Sequence, residues 1–310
     1  MEKRRRAVVA VGGNSLISDS GHESIPDQFT AVITTSRHIA DMVEDGWDTI
    51  VTHGNGPQVG FILRRSELAI HEVSPVPMDY AGADIQGAVG YMFQKALRNE
   101  LKRRGMNKQV ATVVTQTRID SSDPAFDDPS KPIGSYMDEE TAGVRASEQG
   151  WIVREDAGRG WRRVVPSPQP VEIVELQTIK AMQDLGVLVV CCGGGGIPVV
   201  EDENGDLQGV EAVIDKDFAS SVLASDLGAD LLVISTAVPK VAINFNKPDQ
   251  KWLDTVTLAE AREYLAAGHF LKGSMEPKIR SIVRFLENGG STGIVTNPEN
   301  LGRAVKGETG

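Results

Sequence analysis

The stretch Ala7-Val8-Val9-Ala10-Val11-Gly12-Gly13-Asn14 runs five apolar residues directly into a double glycine. A run with no polar face must, as a strand, be covered on both sides. That is the mark of a parallel sheet layered between helices. The pattern recurs at Thr49-Ile50-Val51-Thr52, which ends in His53-Gly54-Asn55-Gly56, and at Val187-Leu188-Val189-Val190-Cys191-Cys192, which meets Gly193-Gly194-Gly195-Gly196. Residues 110–115 and 231–235 read as further strands. Between them, helical periodicity marks 28–45, 84–104, 171–185, 217–228, 257–267 and 277–288, several of them stopped by glycine. Strand and helix in alternation give an α/β fold class, a three-layer αβα sandwich around a mostly parallel central sheet.

Residues 116–170 break this rhythm with six prolines and a hairpin-like pattern from Trp151 to Val165. So long a stretch without βα alternation is not a passive loop. It is expected to be a protruding subdomain inserted into one domain spanning 1–310. A second hairpin is expected across 199–213, turning at Glu203-Asn204-Gly205-Asp206.

The 310 residues carry a net charge of −11, which argues against nucleic acid or an anionic membrane surface as partner. Any anion site must therefore gather its positive charge locally. The two cysteines, Cys191 and Cys192, are adjacent and read as small strand residues rather than a disulfide or metal pair. The basic start Lys3-Arg4-Arg5-Arg6 is followed by only five apolar residues, too few for a signal core or a membrane span. A cytoplasmic protein is expected.

In an open parallel sheet, ligands bind beyond the carboxyl ends of the strands. Three glycine clusters at such ends would face one edge, where backbone N–H groups can approach an anion. No G-x-x-x-x-G-K-[ST] is present, and Val59 stands where G-x-G-x-x-G needs its third glycine, so neither a P-loop nor a dinucleotide site is expected. Lys216 and Lys278 fall in the first turns of their helices, with Ser274 a candidate cap of the second. The helix dipole disfavours a cation there by roughly 0.3–1 kcal/mol. A shared anion would reverse that preference, and Asp217 could hold Lys216 in place. His53 reads as a strand-end histidine satisfying the backbone. Lys131, within Pro129-Ser130-Lys131-Pro132, reads by itself as an exposed loop lysine.

The chain resembles the carbamate kinases of the amino acid kinase family. The likeness rests on Val11 to Leu16, Val51 to Gly60, Asp123 to Phe126 with Lys131 to Gly134, Gly193 to Pro198, and Gly209 to Asp217. Gly158 to Val165 and Gly273-Ser274-Met275 with Pro277-Lys278 are also similar, whereas 21–29 and 81–85 differ. The resemblance implies reversible phosphoryl transfer between ATP and carbamate, in arginine or purine catabolism, by a homodimer using MgATP. It implies that Gly12, Gly13 and Asn14 cradle the transferred group, and that Gly54, Asn55 and Gly56 hold carbamate. Lys216 and Lys278 would neutralise phosphoryl oxygens with Asp217 orienting them, and Lys131 would reach in from the subdomain. Gly194, Gly195, Ala237, Met275 and Pro277 would contact the nucleotide, dividing the chain into an acceptor half (1–186) and a nucleotide half (187–310). No protein metal ligand is implied. Another small acid as acceptor, and a non-catalytic ligand-binding homologue, are the competing readings.

Overall fold

The structure, a computed structural model, describes residues 5–13, 16–17, 21–156 and 158–310. Asn14 lies outside the described residues.

The chain begins with β1 (Arg6–Val11), α1 (Ile25–Glu44), β2 (Asp48–His53), α2 (Gly56–Leu68), α3 (Met78–Arg103) and β3 (Val110–Thr112). It continues through β4 (Gln116–Ile119), β5 (Lys131–Met137), α4 (Glu139–Gln149), β6 (Val153–Glu155), β7 (Trp161–Val165) and β8 (Pro170–Ile173). Next come α5 (Leu176–Asp184), β9 (Leu188–Val190), β10 (Ile197–Glu201), β11 (Leu207–Gly209), α6 (Lys216–Asp226) and β12 (Leu231–Ser235). Last are β13 (Val241–Ile243), β14 (Lys251–Leu253), α7 (Leu258–Ala266), α8 (Met275–Glu287), β15 (Thr292–Thr296) and α9 (Leu301–Val305).

The central sheet has the order β15-β12-β1-β2-β9-β3, every pair parallel. Alternation along β1 divides the core. Ala7, Val9 and Val11 pack with Val32 and Ile39 of α1 and Phe93 and Leu97 of α3. Val8 and Ala10 pack with Leu223 of α6 and Ile282 and Phe285 of α8. Each face of a strand with no polar side is thus covered by its own helical layer, giving the three layers.

Several boundaries differ from expectation for local reasons. α1 starts at Ile25 because Ser24 caps it, its side chain accepting from the Asp27 N–H at 3.3 Å. Helix α2 was not expected, since Gly56, Pro57 and Gly60 obscure its pattern. Residues 171–185 are not one helix: β8 occupies the start and α5 follows. The segment 116–170 also divides. β5, β6 and β7 form a separate antiparallel sheet in the order β5-β7-β6, while β4 and β8 join β10 and β11 in a four-stranded sheet. Strand β9, from the nucleotide half by sequence, is inserted between β2 and β3, so the two halves interlock in the sheet. Among the described residues no helix is long and apolar enough to cross a membrane.

Candidate active site

The three glycine clusters meet at one edge. Gly54 N–H donates to the Val11 carbonyl at 2.8 Å and Gly12 N–H to the Ser235 carbonyl at 3.0 Å, so the turns after β1 and β2 stay in register with the strands. A Cβ built on Gly54 would lie 2.6 Å from the Gly13 nitrogen, an approach only glycine permits. A Cβ on Gly194, whose φ is +68°, would lie 2.1 Å from Asn55 Nδ2. The Gly193–Gly196 turn therefore stands against the β2–α2 turn. It is held from below by a buried clamp. Gln86 of α3 donates Nε2 to the Thr115 carbonyl at 2.9 Å and accepts from its N–H at 2.7 Å, while Thr115 Oγ1 accepts from the Cys192 N–H at 3.0 Å.

Gly194 and Gly195 are not grouped with Ala237, Met275 and Pro277 as expected. They touch Asn55 and Ile214, whereas Ala237 follows β12, on the far side of β1 and β2. Strand order, hidden in sequence, places these glycines beside the β2–α2 turn. Ala237 is exposed, and Met275 and Pro277 are half-buried in the first turn of α8. Ser274 occupies the N-cap position of α8, yet its side chain makes no capping bond.

Lys216 opens α6 and Lys278 lies in the first turn of α8; these helices pack together. Both ammonium groups reach one carboxylate: Lys216 Nζ donates to Asp217 Oδ1 at 2.5 Å and Lys278 Nζ to Asp217 Oδ2 at 2.8 Å. Lys131, from β5 in the small sheet, donates to Asp215 Oδ2 at 3.2 Å. Asp215 was overlooked as a site residue. Its other oxygen caps α6 by accepting from the Asp217 N–H at 2.9 Å. The alternation Asp215-Lys216-Asp217 at a helix start was the available signal.

Burial would raise the Asp217 carboxyl, but Lys216 and Lys278 overcome it and hold the pKa at about 2. Burial first, with repulsion from Lys278 against the pull of Asp217, lowers Lys216 below the usual lysine value. Three lysines and two aspartates leave one positive charge here, with Lys216, Asp217 and Lys278 largely buried and Lys131 open to solvent, on a chain of net charge −11.

His53 is as expected: its Nδ1 lies 3.0 Å from the Gly54 carbonyl, and its ring stacks on Phe93 with centroids 5.9 Å apart. Burial, aided by Lys216 and opposed by the Gly54 bond, lowers its pKa to about 4. It is a neutral packing group. Cys191 and Cys192 are free and buried. A hydrogen bond donated by the Cys191 thiol to Cys192, together with burial, raises Cys191 well above the ordinary thiol value.

Residues 5–297 match the model of the amino acid kinase family. The chain is 48% identical over 309 residues to the carbamate kinase of Thermococcus kodakarensis, covering 99% of this chain and 98% of that one. It is also 48% identical over 307 residues to the carbamate kinase-like protein YahI of Escherichia coli, covering 98% and 96%. Its fold superposes on carbamate kinase from Giardia lamblia bound to AMP-PNP with a TM-score of 0.94 at 40% identity, covering 100% and 98% of the two chains. A crevice of glycine turns and paired lysines, on this sheet and with these relatives, places the chain in the amino acid kinase family, among the carbamate kinases and carbamate kinase-like proteins.

Proposed function

We propose that the protein catalyses ATP + carbamate ⇌ ADP + carbamoyl phosphate. The observation that carries this reading is the sharing of one buried carboxylate by Lys216 and Lys278 at the N-termini of two helices, the first of which packs against the Gly193–Gly195 turn. Carbamate is an anion at neutral pH, so its oxygen attacks phosphorus without a general base, consistent with a buried, neutral His53. In transfer, the bond from the γ-phosphorus to the ADP oxygen breaks as the bond to the carbamate oxygen forms. The obstacle is electrostatic: two like charges ~4 Å apart repel by roughly 4 kcal/mol at an effective dielectric of 20. Lys216 and Lys278 offset this by meeting the equatorial phosphoryl oxygens, and Asp217 keeps both ammonium groups aimed in the meantime.

Gly12, Gly13 and Asn14 hold the transferred group. Gly54, Asn55 and Gly56, backed by Gly194 and Gly195, hold carbamate, and Lys131 approaches it from the small sheet. Asn55 does not cap α2 with its side chain, which leaves first-turn amides for the acceptor. Ala237, Met275 and Pro277 line the base; AMP-PNP bound to the Giardia relative supports a nucleoside triphosphate here.

Among the described residues no cluster of three or more His, Cys, Asp or Glu side chains is placed to hold a metal. The acids at the crevice, Asp215 and Asp217, already engage the helix cap and the lysines. Mg2+ would enter with its nucleotide, and Asp215 and Asp217 are the acids of this site that would help to hold it. The ion supplies charge neutralisation across the phosphates when bound.

A homodimer is part of this reading. The outer face of α3 exposes Tyr80 (66%) and Tyr91 (60%), and the same helix packs Gly90 onto Thr112 of β3, a free edge of the central sheet. A cytoplasmic setting fits the two free thiols.

Two of the relatives are named only carbamate kinase-like, so a different small acid as acceptor is the second reading. ATP formation from ADP, compared across carbamoyl phosphate, acetyl phosphate and other acyl phosphates, separates the two. Carbamoyl phosphate is expected to react fastest. A faster donor would overturn the carbamate assignment, and nucleotide binding without turnover would favour a ligand-binding protein.

A further inference from the structure

Residues 158–165 and 209–213, both distinctive in sequence, take no part in the site described so far, yet they meet each other. Arg163 of β7 donates Nη2 to Glu211 Oε2 at 2.6 Å, and its guanidinium lies 4.9 Å over the Trp151 ring. Glu211 is 64% exposed, and a pair open to solvent on one side contributes only about 0–1 kcal/mol to folding. Stability is a poor reason for the pair. Its location is a better one.

Residues 211–215 alternate. Ala212 and Ile214 are buried and Val213 packs half-buried against the core, while Glu211 is exposed and Asp215 half-buried. Three contacts tie this run to the segment around the small sheet: Glu211 to Arg163, the Val213 N–H to the Pro166 carbonyl at 3.0 Å, and Asp215 to Lys131. Across β5 and β7, Arg163 stands opposite Ile133 and Val165 opposite Lys131. The ion pair is therefore one strand repeat from Lys131, and the segment it grips leads directly into Lys216.

We propose that Arg163 and Glu211 are positioning residues, an electrostatic latch that sets where the small sheet presents Lys131 relative to Asp215 and Lys216. They touch neither substrate nor the reacting atoms. Their effect passes through Lys131 alone. This rests on the carbamate kinase reading for its kinetic test, so a second test is independent of activity.

Arg163→Gln and Glu211→Gln are each expected to lower kcat/KM for carbamoyl phosphate about tenfold, within the range of coupling between neighbouring groups. KM for ADP should stay unchanged. In a Lys131→Ala background the same substitutions should change the rate less than twofold, and the charge-reversed pair Arg163→Glu with Glu211→Arg should recover most of the loss. An equal loss with and without Lys131, or a matching rise in KM for ADP, overturns the proposal. Independently, acylation of the Lys131 amine, followed by peptide mass spectrometry, should speed up severalfold in Arg163→Gln. An unchanged labelling rate in a variant with a normal melting temperature overturns the latch. Failure of the wild type to make ATP from carbamoyl phosphate overturns the functional reading instead, and the labelling result still decides the latch.

Discussion

Two charge clusters in this molecule are built in opposite ways. At the far end of the α1–α3 layer, Arg104 stands among Asp41, Glu44 and Glu100, donating at 2.7, 3.0 and 2.9 Å respectively. Arg104 meets three acids there, one of which, Glu100, Arg103 also holds, and Asp41 and Glu44 are 41% and 60% exposed, so surplus negative charge stays in water. In the crevice, one buried carboxylate meets two cations. The surplus is positive and withdrawn from solvent, and the chain gains nothing in stability by it. A satisfied cluster at the surface is a staple between helices. A buried cluster short of one anion is a site waiting for its ligand.

Each substitution below can break or sharpen that contrast. Asp217→Asn should have the largest effect, since it leaves two ammonium groups repelling at close range; turnover is expected to fall roughly a thousandfold, by analogy with the loss of a preorganised charge partner. Steady-state rates on protein of native circular dichroism check it. Lys216→Ala and Lys278→Ala should each lose about a hundredfold in turnover. Their melting temperatures should hold or rise, because burial already depresses the Lys216 ammonium.

Arg104→Met should do the reverse, losing about 2 kcal/mol of stability on chemical denaturation while keeping its turnover. Had the clusters been alike, the two kinds of loss would travel together. Acid should act more gradually. Above pH 6.5 His53 is neutral whether the chain is folded or not. Between pH 6.5 and its folded pKa of about 4 only the unfolded chain takes up the proton, so stability falls as pH falls. The slope from this group is at most ~1.4 kcal/mol per pH unit. His53→Gln should flatten it in a pH series of melts.

Much of this was legible in sequence, for a geometric reason. Parallel strands bring all their carboxyl ends to one edge, so glycines after Val11, His53 and Cys192 had to converge once those strands were recognised. Lys216 and Lys278 stood out because a helix start is a costly place for a cation. What stayed hidden depended on strand order or on contacts far apart in the chain. The order that inserts β9 beside β2 places Gly194 and Gly195 against the β2–α2 turn, away from Ala237. Strand β15, Thr292 to Thr296, has only Ile294 and Val295 as apolar side chains beside Gly293 and so gave no apolar run to find. From its neighbours alone, Lys131 was an exposed loop lysine; resemblance supplied its role, and its bond to Asp215, 84 residues away, had no local signature. The same distance effect concealed Arg163 and Glu211, 48 residues apart.

The most direct test places both clusters in one assay, ATP formation from ADP and carbamoyl phosphate under single-turnover conditions. Lys216→Ala and Lys278→Ala should each be slowed about a hundredfold, with Arg104→Met matching the wild type. Near-normal turnover in either lysine variant, or an equal loss in Arg104→Met, would contradict the claim that a buried surplus of positive charge drives the transfer.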